Sequence, residues 1–179
     1  MRTSIHAAPP GDNLLVRTTC GRQVRVGRLA AALLSQADAA EHPGTDAGTS
    51  TVQVSYLGGE CYAIAARGHA VLTDQPATAG GDDAAMTPVE LLVGSLSSCV
   101  AFYAGRYLAR HGLNRDGLQV TAEFALAAGR PARVGQVRIK VRVPGGIPPS
   151  RQAAMLAVAS HCTVHNTLRD APDITIELE

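Results

Sequence analysis

Tryptophan is missing from this chain, and aromatic residues make up only 3% of its 179 positions. Proteins that bind single-stranded nucleic acid stack bases on aromatic rings, so such a surface is hard to build here. The chain also lacks an excess of either charge sign, because its 16 Lys and Arg residues and 15 Asp and Glu residues give a net charge of +1. This balance argues against nucleic acid or an anionic membrane as the main partner.

No segment combines a basic start, an apolar centre and a small-residue cleavage site, so no secretory signal is expected. The most apolar run, from Val89 to Ala104, is interrupted by Glu90, three serines and Cys99, and we expect it to be too short and too polar for a membrane span. We therefore expect a cytoplasmic protein. There the four cysteines should be reduced, catalytic or inert rather than a structural disulfide set.

The chain divides by pattern into an N-terminal extension, residues 1–50, and one domain of ordinary size, residues 51–179. The extension is predicted to hold extended or hairpin structure at 13–27, an amphipathic helix at 28–40 and a linker at 41–50. Alternation and turn signals predict the elements of the domain. The first part has a hairpin around Gly58-Gly59 and a third strand within 51–76, a loop at 76–86 and a long helix at 88–111. The second part has strands in 116–129 and 132–144, helices at 149–162 and 163–170, and a closing strand at 173–179.

The long helix has clear end signals. Thr87 and Glu90 fit a capping box, Pro88 suits the first helical position, and Gly112 suits the position after the last turn. Apolar residues surround the axis instead of forming one stripe, which is unusual for a surface helix. We expect a second subunit to cover the part that a single small sheet cannot reach.

A cysteine lies at the centre of this helix. At about 100° per residue, Cys99 shares its side with Phe102, Tyr103 and Arg106, whereas Glu90 points roughly the opposite way. Helical side chains lean towards the N-terminus, so the Arg106 guanidinium could approach the sulfur. A buried cysteine alone is inert, and a nearby cation is what favours the thiolate. Both interpretations, an inert core residue and an activated thiol, stay open on these residues alone.

Three stretches in order resemble the OsmC/Ohr family of small α+β thiol peroxidases, which reduce organic hydroperoxides: RGHAVLTDQP (67–76), GGDDAAMTPVELLVGSLSSC (80–99) and HCTVHNTL (161–168). The similarity covers roughly residues 51–179. It implies an α+β fold with antiparallel sheets packed around a long central helix in an intertwined homodimer. It also implies an antioxidant role in the response to oxidative stress.

The resemblance implies a cycle of two cysteines. Cys99 matches the peroxidatic cysteine of the family and Cys162 the resolving one. A thiolate attacks the peroxide bond, and the sulfenic acid that forms condenses with the second thiol. A dithiol reductant of the lipoyl or thioredoxin type then reopens the disulfide by exchange. Neither a metal nor an organic cofactor is required.

Two positions depart from the best hydroperoxide reductases of the family. Their Glu ten positions before the peroxidatic cysteine is Val89 here, with Glu90 one step later, and Glu60 stands where they carry an Arg after the Gly-Gly of the first hairpin. The pattern therefore looks more like the OsmC-like branch than the Ohr branch proper. Arg106, and less so Arg67, are the substitutes for the missing cation. The candidate catalytic residues are Cys99, Cys162, Arg106 and Glu90.

Other motifs carry weaker signals. His161, Cys162 and His165 form an H-C-x-x-H pattern, but no second cluster completes a zinc site, so no metal site is predicted. His69 and Asp74 suit structural turns, and Cys20 and Cys61 are interpreted as passive. Two functions therefore remain. One is a thiol peroxidase acting on organic hydroperoxides, and the other is a non-catalytic small-molecule-binding or redox-sensing protein on the same scaffold.

Overall fold

A computed structural model describes residues 14–17, 23–26 and 50–178, and its contacts divide between Pro88 and Val89 into two units. The first described strands, β1 (Leu14–Arg17) and β2 (Gln23–Val26), pair antiparallel and confirm the hairpin predicted at 13–27. Three predicted features lie outside the described residues: the helix at 28–40, the linker at 41–50 except for its last residue, and Cys20.

An antiparallel sheet follows in the same unit. Its strands are β3 (Gln53–Gly58), β4 (Cys61–Ala66) and β5 (His69–Thr73), in the order β3-β4-β5. Gly58 and Gly59 form the first turn with φ values of 120° and 57°, a region that glycine enters without the steric cost of a Cβ. The hairpin and the third strand predicted from alternation are thus confirmed.

The loop after β5 is organised by one carboxylate. Asp74 is only 1% exposed, and its side chain accepts hydrogen bonds from the backbone N–H groups of Gln75 (2.8 Å), Asp82 (3.1 Å) and Ala84 (3.0 Å). These bonds satisfy a buried anion and lower the pKa of Asp74, the N–H of Ala84 having the largest effect and burial opposing it. The predicted turn residue therefore fixes the loop that leads towards the long helix.

The second unit is built on α1 (Pro88–Arg110), which packs against a hairpin of β6 (Gln119–Leu126) and β7 (Val134–Arg142). Its buried side chains recur every three or four residues and form one core stripe: Val93, Leu96, Val100, Ala104 and Leu108. The helices α2 (Pro149–Ala159) and α3 (Thr163–Arg169) follow. The α+β class with antiparallel sheets and a long helix is thereby confirmed.

By length and composition, α1 is the one described helix able to cross a membrane, with 23 residues and a mean hydropathy of 1.3 over its most apolar window. The helix is longer than the apolar run from Val89 to Ala104, and the expectation that this run is no membrane span stays a prediction. Core helices of soluble proteins meet the same criteria, and the buried stripe of α1 forms such a core in its unit.

The predicted closing strand at 173–179 is not observed over the described residues 173–178. This part of the chain has no regular secondary structure, and its alternating apolar residues Ile174, Ile176 and Leu178 are almost fully exposed. Alternation predicts a strand only if a partner edge is available, because the ladder is formed between strands. No described strand of this chain pairs with the segment.

Candidate functional site

The structure brings the two motif cysteines together. Cys99 lies in the middle of α1 and is partly buried, whereas Cys162 precedes α3 and is 0% exposed. Cys162 belongs to the core cluster of the second unit, and Cys99 packs against that cluster. Both cysteines are free thiols. The arrangement places two reduced sulfurs side by side in an apolar environment.

Cys162 is held by the start of its own helix. It is the N-cap of α3, with φ −70° and ψ 152°, and its Sγ accepts a hydrogen bond from the backbone N–H of His165 at 3.4 Å. Its carbonyl oxygen accepts from the N–H of Asn166 at 2.9 Å, which closes the first helical turn. The sulfur is therefore fixed by backbone geometry rather than by a flexible side-chain partner.

The surroundings of Cys162 determine its protonation. Burial raises the pKa of the Cys162 thiol most strongly, the neighbouring Cys99 thiol raises it further, and the N–H of His165 opposes this rise only in part. The interaction with Cys99 is itself a sign that the two sulfurs are close. With its pKa raised above the ordinary value, the Cys162 thiol keeps its proton at neutral pH.

One hydrogen bond joins the two cysteine-bearing helices. It lies between the hydroxyl oxygens of Tyr103 and Thr163, which are 3.4 Å apart. Tyr103 lies one turn beyond Cys99, and Thr163 follows Cys162. Sequence reasoning placed Tyr103 on the Cys99 side but missed Thr163, because the two residues are separated by 60 positions. The pairing requires the tertiary fold and has no local sequence signal.

The other two predicted site residues are not brought to the sulfurs by any contact that the structure describes. The Arg106 guanidinium lies 5.5 Å from the centroid of the Phe102 ring, in a cation–π contact along the surface of α1. Within the described residues Arg106 makes no hydrogen bond or ion pair with Cys99. Glu90 is in the first turn of α1, so nine residues separate it from Cys99, or about 13 Å of helix at 1.5 Å per residue.

An apolar cavity adjoins the cluster that holds the thiols. It has a volume of about 240 Å³ and lies between the first half of α1, the start of β7 and α3. Leu96 belongs both to its wall and to the cluster that contains Cys162, and Val137 belongs to its wall and packs against that cluster, as Cys99 does. Neither cysteine lines the cavity, which offers space for an uncharged organic group beside the thiol cluster.

The other residues singled out in the sequence, Cys61, His161 and His165, make contacts that are typical of structural residues. Burial, followed by the charges of Asp74 and Asp82, raises the pKa of Cys61 in β4. The Nδ1 atoms of His161 and His165 contact the backbone carbonyl oxygens of Ala157 and Ser160, so each ring secures a helix end or turn. In the described part of the chain no group of three His, Cys, Asp or Glu side chains is placed to hold a metal ion.

Comparisons with known proteins identify a family for this chain. A family model described as OsmC-like protein matches residues 80–177, which is more than half of the chain. A search of curated proteins gave no match.

Solved structures share the fold at low sequence identity. A candidate osmotic stress induced and detoxification response protein from Psychrobacter arcticus 273-4 matches with a TM-score of 0.63 and 24% identity, over 69% of this chain and 91% of that one. The organic hydroperoxide resistance protein OsmC from Legionella pneumophila, also named a predicted redox protein, matches with a TM-score of 0.55 and 18% identity, over 70% and 92%. An OsmC-like protein of unknown function from Vibrio cholerae matches with a TM-score of 0.54 and 15% identity, over 67% and 93%.

Proposed function

The chain belongs to the OsmC-like protein family, and from that premise we propose that it is a two-cysteine thiol peroxidase that reduces organic hydroperoxides. The observation that carries the proposal is the pair of free thiols, Cys99 and Cys162, in one apolar cluster, with Cys99 among the groups that raise the pKa of Cys162. We expect such a pair to close a disulfide, which requires Cα atoms about 4.4–6.8 Å apart.

The proposed cycle has three balanced steps. The Cys99 thiolate attacks one oxygen of the hydroperoxide, the O–O bond breaks, and the alkoxide takes up a proton and leaves as an alcohol. The sulfur of Cys162 then attacks the sulfenic acid, so that a disulfide forms and water leaves. A dithiol reductant of the lipoyl or thioredoxin type finally supplies two electrons and two protons, and is itself oxidised to a disulfide.

The apolar cavity favours organic hydroperoxides over hydrogen peroxide. Its wall contains Leu92, Leu96, Val137 and Leu168, which can bury a hydrocarbon group at about 25 cal/mol per Å². Hydrogen peroxide has no such group and gains nothing from this surface. The name of the Legionella pneumophila relative, an organic hydroperoxide resistance protein, supports the same substrate class here.

The proposal includes a homodimer. Leu92 and Phe102 are exposed on α1, the latter at 56%, and the apolar side chains of the last residues are exposed more completely. Exposed apolar surface on this scale is typical of an interface. A second copy of the chain is the occupant that the resemblance to the OsmC/Ohr family implies.

The alternative function is a small-molecule-binding or redox-sensing protein without fast turnover. It is favoured by Val89 and Glu60 at the two positions where the best reductases of the family carry Glu and Arg. Under this alternative, Cys99 and Cys162 oxidise slowly and the oxidised form persists. Arg106 and Glu90 keep their predicted catalytic roles under the first function only.

A coupled peroxidase assay tests the proposal. The wild type is supplied with cumene hydroperoxide or hydrogen peroxide, and with dihydrolipoamide or thioredoxin as the reductant. We expect multiple turnovers with cumene hydroperoxide, fewer with hydrogen peroxide, no turnover for Cys99→Ser, and at most one for Cys162→Ser. Cys61→Ser is the matched control and should keep wild-type turnover. A wild type that turns over with neither reductant favours the alternative function.

A further inference from the structure

A second cavity lies along the other end of α1, within the same unit as the thiols but lined by neither of them. It has a volume of about 300 Å³, which is at the lower end of the range for small-molecule sites. Six side chains line it, five from α1 and the residue after it and one from α2: Tyr103, Arg106, Tyr107, Arg110, His111 and Val158.

Positive charge accumulates here without a matching negative charge. Arg106 and Arg110 are four residues apart on one helix, a spacing at which like charges destabilise the helix. A third guanidinium, that of Arg151, donates a hydrogen bond to Nδ1 of His111 at 2.7 Å. Over residues 50–178 the one ion pair is that of Lys140 with Glu123, so these three arginines have no carboxylate partner in the part of the chain that the structure describes.

The helix dipole accounts for only part of this charge. Arg110 lies in the last turn of α1, where one cation balances the partial negative charge of about half an electron at the C-terminus. The two guanidinium groups that line the cavity exceed that charge severalfold. An oxyanion in the cavity would supply the missing counter-charge.

One wall of the cavity is held in place by contacts of Tyr107 and His111. The Tyr107 ring is buried and lies 4.3 Å from the His111 ring, centroid to centroid, and its hydroxyl donates to the carbonyl oxygen of Arg151 at 3.4 Å. Since a guanidinium can only donate, Nδ1 of His111 accepts from Arg151. Flat aromatic surface and guanidinium groups therefore line the same cavity.

We propose that this cavity binds a small carboxylate carried on a flat aromatic body. Arg106 and Arg110, which line the cavity, would hold the carboxylate, since a guanidinium presents paired donors that match its two oxygens. Tyr103 and Tyr107 would contact the aromatic body. Neither Cys99 nor Cys162 lines the cavity, but Arg106 does and is also a candidate catalytic residue, so the proposal is tested at Arg110, which has no proposed catalytic role.

Isothermal titration calorimetry with matched probes tests the proposal. The probes are naphthalene-2-carboxylate, the neutral naphthalene-2-carboxamide and inorganic phosphate. We expect the carboxylate to bind at least about tenfold more tightly than the carboxamide, because the neutral probe loses the hydrogen bonds between charged groups, and tenfold corresponds to about 1.4 kcal/mol. Phosphate should bind more weakly than the carboxylate because it lacks the aromatic body.

Variants identify the site. Arg110→Gln should weaken carboxylate binding by about tenfold and leave carboxamide binding unchanged. Arg138→Gln, which removes an exposed arginine from β7, is the matched control and should bind as the wild type does. Thermal unfolding checks that each variant is folded, and Arg110 is exposed, so its replacement removes no core contact. Equal binding of carboxylate and carboxamide, equal effects of Arg110→Gln and Arg138→Gln, phosphate binding as tight as the carboxylate, or no measurable binding would each overturn the proposal.

Discussion

At the scale of single residues, the buried thiol of Cys162 makes stability depend on pH in a defined direction. Burial, with the adjacent Cys99, raises its pKa above the ordinary value of 9.0, so the folded state binds the proton more tightly than the unfolded state. Its contribution to the free energy of unfolding is therefore complete below about pH 9 and is lost as the pH rises through the raised value. Urea unfolding of the reduced protein between pH 7 and pH 10 should show this loss.

Cys162→Ser should show a smaller loss of stability over the same range, because the titrating group is gone. The raised pKa of Cys61 leaves part of the dependence in place, so the comparison is between the two slopes. Identical slopes for the wild type and Cys162→Ser would contradict the assignment.

Asp74 provides a second test at this scale. Its carboxylate accepts three backbone N–H groups, with one oxygen bonded to Gln75 and the other to Asp82 and Ala84. Asp74→Asn replaces one acceptor oxygen by an NH₂ group, so at least one buried donor loses its partner. The free energy of unfolding should fall by about 1–3 kcal/mol, measured by urea unfolding at pH 7. Asp83→Asn, on the exposed part of the same loop, is the control, and an equal loss there would count against this account.

At the scale of elements, most of the fold could be predicted from local pattern. Alternation and paired glycines located β3 and β4, and a proline with end signals located α1. Local sequence suffices here because side chains on one face repeat every two residues in a strand and about every 3.6 residues in a helix. The segment at 173–178 was predicted wrongly for a physical reason. A strand needs a partner edge, and the identity of that edge is not a local property of the segment.

The candidate site could be predicted only in part. Helical spacing placed Cys99, Tyr103 and Arg106 on one side of α1, but the nearness of Cys162 came from the family resemblance, since nothing local joins the two sulfurs. The Tyr103–Thr163 hydrogen bond and the contact of Arg151 with His111 join residues far apart in sequence. The tertiary fold decides such pairs, and with them the position that the Arg106 guanidinium takes over Phe102.

Gly81 and Gly94 differ in the space that an added Cβ atom would find. A Cβ on Gly81 would lie 2.0 Å from the carbonyl oxygen of Gln75, so Gly81→Ala must displace the loop that Asp74 organises. A Cβ on Gly94, in α1, would meet nothing within 4 Å. We expect Gly81→Ala to lower the melting temperature and Gly94→Ala to raise it, because alanine favours a helix over glycine by up to about 1 kcal/mol. The prediction fails if differential scanning calorimetry shows Gly81→Ala to be as stable as the wild type.

At the scale of the whole molecule, the exposed C-terminal apolar residues test the homodimer. Ile176 is 92% exposed in the single chain, and burying such a side chain is worth about 1.5–3 kcal/mol. Sedimentation equilibrium should show a dimer at micromolar concentration, and Ile176→Lys should weaken its association by about tenfold or more. Glu177→Lys introduces the same side chain at the next position and should have little effect. A folded wild-type monomer at micromolar concentration would rule out the dimer.

The central claim is that Cys99 and Cys162 form the redox pair, and peptide mapping of the oxidised protein tests it most directly. The reduced protein is treated with one equivalent of cumene hydroperoxide, the remaining thiols are alkylated, and the digest is analysed by mass spectrometry without reduction. The account predicts a dominant peptide pair joined through Cys99 and Cys162, with Cys61 recovered in alkylated form. A dominant Cys20–Cys61 disulfide, or a protein in which Cys99 and Cys162 both remain fully alkylated after the peroxide is consumed, would contradict it.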